Sequence, residues 1–250
     1  MSHSVLHPRG GYRYLPGIFP YSCGVVASDG YEIVHVTLKS QRPWAEGMKL
    51  AREFVIADGL SEQNLCGFEL RCPKPHPMDG FIQFNRGYRE LLEQWDVLVD
   101  GENPVARTNV APVNNPPSQT DLFAFSYARP SSQPNATFVI AGGGELVGSL
   151  AVENIIRAGE ISDSAMVEKA QCVIGLMQER LDGLGVDQSG LTAIDVYTEH
   201  HLKPLLDEVL LQRLPITQRI GVRWFYTRPP VEQIEFEMDM RGTVTELLID

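Results

Sequence analysis

Two arginines, a glutamate and a run of glycines are the residues whose types and positions could do chemistry. Arg107 and Arg219 each open a predicted strand, and a guanidinium fork binds a carboxylate through two parallel hydrogen bonds. Glu235 lies in Glu235-Phe236-Glu237. A carboxylate held near water can act as a general base, an effect commonly worth ~10²–10⁴-fold. Gly142-Gly143-Gly144 could bring backbone N–H groups close to a ligand. Each feature also has a plainer reading. A strand-opening arginine is usually solvated or ion-paired. Glu235 and Glu237 alternate as the wet face of a strand would. The glycines lack the Lys-Ser/Thr of a phosphate loop, so a turn accounts for them.

Other chemistries find less support. His200 and His201 are adjacent, so on a strand end their side chains diverge, and His35 and His76 have no partners at ligand spacing. The expectation is no metal and no cofactor. Cys23, Cys66, Cys72 and Cys172 fit no zinc or redox pattern and are read as reduced core residues. Gly-x-Ser-x-Gly is absent. A net charge of −11 with no basic run argues against nucleic acid and against an anionic membrane surface. The 250 residues hold no apolar stretch of membrane-spanning length, and the polar Met1–Gly11 segment lacks a signal-peptide core. The chain is expected to be cytoplasmic.

The elements that must position these residues come in two similar series. Residues 130–136, rich in Pro, Ser and Asn, read as a linker between domains spanning residues 1–129 and 137–250. After the linker come a strand at 137–141, a helix, a strand at 191–197, a short helix at 202–211, and strands at 219–225 and 233–240. The first of these helices carries Met166, Ala170, Val173, Met177, Leu181 and Leu184 on one face. Before the linker the same order runs through strand 32–36, a helix marked by Trp44, Met48, Ala51 and Val55, strand 65–71, helix 81–95, and strands 107–113 and 121–127. Arg107 and Arg219, Pro117 and Pro229, and Phe123 and Glu235 are each separated by 112 residues, as in a tandem copy. The expected fold class is α+β: two tandem domains, each a mostly antiparallel sheet with two helices on one face. The second sheet face is apolar enough to need covering by another copy.

Pro20-Tyr21-Ser22-Cys23-Gly24-Val25 resembles the Pro-Tyr-Ser-x-Ala-Val opening of the Rid (YjgF-like) reactive intermediate deaminases. Val105-Ala106-Arg107-Thr108-Asn109-Val110 resembles that family's Pro-Ala-Arg-Ser/Thr-x-Val segment, and residues 229–237 resemble its closing strand. The resemblance implies a chorismate-mutase-like fold, usually trimeric, with sites between neighbouring domains. It also implies hydrolysis of small carboxylated enamines or imines to keto acid and ammonia. On that basis Arg107 or Arg219 would hold the carboxylate, Glu235 would activate water, and Tyr21 would form a wall or donate a hydrogen bond. Gly142, Gly143 and Gly144 would contact the substrate. Neither half matches fully, because Phe123 stands where the second half has Glu235 and Gln218-Arg219-Ile220 replaces Ala-Arg-Ser/Thr. A non-catalytic metabolite-binding protein is therefore the alternative. Ribonuclease activity, attributed to some Rid relatives, is disfavoured by the acidity.

Overall fold

The longest helix shows how local sequence sets the elements. Ser162 caps α3 (Asp163–Leu184) by accepting the Ala165 N–H at 3.3 Å, and Gly185 ends it in the left-handed region with φ 72°. All six residues of its expected apolar face are buried. They pack on Phe138, Ile140, Ile194, Val196, Met238 and Met240 of a sheet. In this computed structural model, which describes residues 3–250, α1 (Trp44–Ala57) and α2 (Met78–Gln94) cover a second sheet in the same way.

The strands are β1 (Val5–Leu6), β2 (Tyr12–Leu15), β3 (Gly24–Ala27), β4 (Tyr31–Pro43), β5 (Leu65–Arg71), β6 (Ala106–Pro112) and β7 (Asp121–Pro130), followed by β8 (Phe138–Gly144), β9 (Ala193–Tyr197), β10 (Arg223–Phe225), β11 (Thr227–Arg228), β12 (Glu237–Gly242) and β13 (Thr245–Ile249). One sheet runs β1-β2-β3-β8-β12-β9-β10 and the other β11-β6-β5-β7-β4-β13. Both are mixed: β9–β10, β5–β6 and β4–β13 are parallel pairs.

This arrangement corrects the expectation of two tandem chorismate-mutase-like domains. The sheets exchange strands, so neither half of the chain closes on itself. The N-terminal β3 pairs antiparallel with β8, which places β1–β3 in the sheet of the second half. The C-terminal β13 pairs with β4, and β11 pairs with β6, both in the sheet of the first half. The sheets face each other across Tyr12, Tyr14, Val25, Ile33, Cys66, Ala106, Ala128 and Ala141. Helices lie on the two outer faces, giving four layers. The apolar inner faces thus cover each other within one chain.

Two local expectations also change. Residues 217–220 form a helical turn rather than the start of a strand, which begins only at Arg223 after Gly221 at φ 73°. The last long strand starts at Glu237 rather than Gln233, because Gln233 at φ 73° breaks the extended run. Among the described residues no helix is long and apolar enough to cross a membrane.

The buried Ile33 N–H donates to Thr137 Oγ1 at 2.6 Å, joining the two sheet-forming halves. Thr137→Val should orphan that donor and cost about 1–3 kcal/mol. The loss is read from the urea midpoint. Because the two halves exchange strands, the chain should unfold in one transition, whereas two separate transitions would indicate independent halves.

Candidate active site

β6 brings Arg107 and Asn109 to the same face, two residues apart as the strand period requires. That face borders a cavity of about 220 Å³ whose lining includes Tyr21, Arg107, Asn109, Gly142, Arg180 and Glu237. The first three come from the first half of the chain. Gly142 comes from β8, Arg180 from α3, and Glu237 opens β12. The cavity therefore depends on the meeting of the two sheets.

Arg107 is 2% exposed. Its guanidinium carbon lies 4.6 Å from the Tyr21 ring centre, 4.7 Å from Tyr88, 5.5 Å from Phe81 and 5.8 Å from Phe84. These rings offer their negative faces to the cation. Nη2 donates to Asn85 Oδ1 at 2.6 Å, while Nε and Nη1 have no partner among the described residues. Burial disfavours its charge and lowers its pKa, with nearby Tyr21, Tyr88 and Glu237 opposing the shift. A guanidinium nevertheless stays protonated in proteins. Arg180 donates from Nη1 to the Ala141 carbonyl at 2.7 Å and the Gly142 carbonyl at 3.3 Å, leaving Nε unpaired.

Glu237 faces the two cations, but burial dominates: it pushes the carboxyl up to about 8, against the opposing pull of Arg180 and Arg107. At neutral pH the acid is mostly protonated, so the two guanidiniums give the cavity an excess of positive charge. Tyr21 stays a neutral phenol because burial raises its pKa further.

The glycines are not a turn; they end β8, paired with β12 at Gly143↔Met238 and Gly144↔Glu237. Their role is space. A Cβ on Gly142 would strike Glu237 Oε1, and one on Gly144 would lie 2.6 Å from Ile234 Cγ2. Just beyond them, the fully buried Glu145 pairs with Lys169 at 3.0 Å and accepts the Glu235 and Phe236 N–H groups at 2.7 and 3.0 Å. This clamp fixes the segment leading into β12.

The other two expected site residues lie elsewhere. Arg219 lies within the helical turn at 217–220 and borders a separate surface depression with Gly185 and Gly190. Glu235 Oε2 meets His200 Nε2 at 2.9 Å, and Oε1 meets Arg228 Nη2 at 3.4 Å. Glu199, His200 and Glu235 have ligand atoms within 4.8 Å of one another, a set that could hold a metal. Arg228 already lies against both carboxylates, with its Nε 3.1 Å from Glu199 Oε1.

The sequence does not single out Asn109, Arg180 or Glu237, which line the cavity, or Asn85, which holds Arg107. Asn109 was available from strand alternation with Arg107. Arg180 interrupts the apolar stripe between Met177 and Leu181, a visible but nonspecific signal.

Fold and cavity together define a two-sheet protein with a pocket lined by two buried arginines and a glutamate. The chain belongs to the 2-aminomuconate deaminase CnbZ family, matched over residues 4–247, and is thus a member of a deaminase family. It is 37% identical over 253 residues to 2-amino-5-chloromuconate deaminase from Comamonas testosteroni, with both chains covered completely. Membership across nearly the whole chain replaces the Rid assignment, which rested on a few short segments. Among solved structures, a chorismatase aligns over 96% of this chain and 78% of its own, at 12% identity and a TM-score of 0.47. A cyanuric acid hydrolase aligns over 84% and 67%, at 8% identity and a TM-score of 0.41.

Glu237 supplies a pH signature. Its proton is held more tightly in the folded chain than in the unfolded one. The associated stability is complete below the ordinary carboxylate value of 4.5 and is lost as pH rises through about 8. Glu237→Gln should flatten the fall in urea midpoint between those two values. An unchanged slope would mean that the acid titrates normally.

Proposed function

We propose that the protein hydrolyses the amino group from a 2-aminomuconate-type dicarboxylate, releasing ammonia and leaving a 2-oxo acid. The observation carrying this reading is the convergence of Arg107, Arg180 and a largely protonated Glu237 on one cavity. Two guanidiniums with unpaired N–H groups suit two carboxylates. Family membership and the name of the curated relative supply the class of substrate.

Hydrolysis must replace nitrogen by oxygen at a carbon of a conjugated double bond. In the proposed reaction, protonated Glu237 delivers its proton to the carbon end of that bond. The electron pair on nitrogen forms C=N, giving an iminium. Water then attacks the C=N carbon while the Glu237 carboxylate takes a proton from it, restoring the acid and giving a carbinolamine. Transfer of the remaining hydroxyl proton to nitrogen breaks the C–N bond, and the products are a ketone and ammonia. One water is consumed, and Glu237 ends as it began. A carboxyl with a pKa near operating pH can serve in both directions. Tyr21 and its neighbouring rings keep Arg107 fixed and dry.

Glu237→Gln should lower kcat for 2-aminomuconate by about 10²–10⁴-fold. Glu235→Gln, altered outside the cavity, should retain turnover close to wild type. The reverse pattern would move the acid–base role to Glu235. Arg107→Lys keeps charge but loses the fork and should raise KM by at least about tenfold. Ammonia release, followed against the spontaneous rate, checks all three variants.

A further inference from the structure

Asn109 has no part in the chemistry proposed above, yet its side chain is placed for a ligand. It is 3% exposed and lines the same cavity as Arg107 and Glu237. Neither Oδ1 nor Nδ2 has a hydrogen-bond partner among the described residues. Buried primary amides are ordinarily satisfied, because an unpaired donor or acceptor away from water is destabilising. Asn85, the other asparagine beside Arg107, differs in that its Oδ1 accepts from Arg107 Nη2. Asn109 lies two residues beyond Arg107 on the same strand face, so a molecule held by that guanidinium lies within the same short stretch of wall.

Resting on the function proposed above, we infer that Asn109 is a specificity-determining residue that reads the amino-carboxylate end of the substrate. A 2-amino acid unit presents an N–H donor beside a carboxylate acceptor, separated by two carbons. A primary amide presents the complementary pair, with Oδ1 accepting and Nδ2 donating. Asparagine reads the donor–acceptor edge of adenine in this two-point manner. Conversion of the C–N bond to C=O replaces the donor by a second acceptor, which faces Asn109 Oδ1 without a proton between them. The same amide thus favours the aminated substrate over its own product. It also orients the molecule, bringing the amino end rather than the far carboxylate toward the strand that carries Arg107.

The test compares wild type, Asn109→Leu and Asn109→Asp, with 2-aminomuconate as substrate and cis,cis-muconate as inhibitor. Muconate keeps both carboxylates and lacks the amino group. Asn109→Leu should lower kcat/KM for 2-aminomuconate by about 10–100-fold, the effect of one or two lost buried hydrogen bonds. It should weaken muconate inhibition by a factor at least about fivefold smaller, because muconate loses only the bond to its carboxylate and has no amino group to lose. Should the leucine variant fail to fold, Asn109→Asp carries the test: it keeps size and polarity, lacks the donor and places an acceptor against the carboxylate, so the same loss is expected. A kcat/KM within about threefold of wild type, or an equal loss toward substrate and muconate, overturns the assignment of Asn109 while leaving the deaminase reading intact. If wild type neither turns over 2-aminomuconate nor is inhibited by muconate, the functional reading itself fails and the role of Asn109 falls with it.

Discussion

A guanidinium that cannot give up its proton is buried among four aromatic rings with two of its nitrogens unpaired among the described residues, and much of the surrounding structure follows from holding it there. The rings around Arg107 provide electrostatic attraction of ~0.5–2 kcal/mol each at best. That does not offset the hydration lost by a buried ion, for which the effective penalty is several kcal/mol. An anion entering the cavity would replace the missing hydration. Arg180 adds a second cation whose carbonyl partners, Ala141 and Gly142, carry only dipoles. Glu237 does not neutralise the pair, because burial keeps its proton on until about pH 8. The free site is electrostatically incomplete, and the dicarboxylate proposed as substrate would complete it.

Such a site needs walls from both ends of the chain, which is where the exchange of strands matters. Arg107 and Asn109 come from a sheet closed by the C-terminal β13, while Gly142 and Glu237 come from a sheet extended by the N-terminal β1–β3. Pulling the halves apart would unpair strands in both sheets. The exchanged strands thus fix the separation across which Glu237 meets the guanidiniums. Gly142 completes the fit, since only a residue without a side chain leaves room for the Glu237 carboxylate.

Local patterning made the helices legible and left the exchange invisible. The six-residue apolar face of α3 and its Ser162 and Gly185 ends are properties of contiguous sequence, and each is present as expected. Strands of two to five residues such as β1, β11 and β13 carry too little periodicity to be seen, and their partners lie far away in sequence. The site was legible to the same extent. Arg107, Tyr21 and the three glycines line one cavity, whereas Glu235 and Arg219 do not. Counting by alternation puts Glu235 and Glu237 on one face of a strand. The left-handed backbone at Gln233 and the Glu145 clamp on the Glu235 and Phe236 N–H groups keep Glu235 out of the ladder. As a result Glu235 turns to His200 while Glu237 turns to the cavity.

The layer between the sheets shows why their relative register is specified and not merely favoured. An apolar sandwich can slide, because hydrophobic contact is non-directional. Here His35 bridges Glu69 at 2.9 Å and Glu246 at 3.1 Å, and Arg241 joins Glu246 at 2.7 Å to Asp195 at 3.1 Å. Although burial works against both carboxylates, His35 and nearby arginines hold Glu69 and Glu246 well below their ordinary values, and the two acids in turn keep His35 protonated to higher pH. A shift of one strand position between the sheets would break the Arg241–Glu246 pair, which joins β12 of one sheet to β13 of the other. Thr108 adds a 2.5 Å bond to Asp239 from the residue between Arg107 and Asn109. The network that locks the sheets together therefore includes the strand that carries the site, so the positions of Arg107 and Asn109 are set by the same contacts that set the register of the fold.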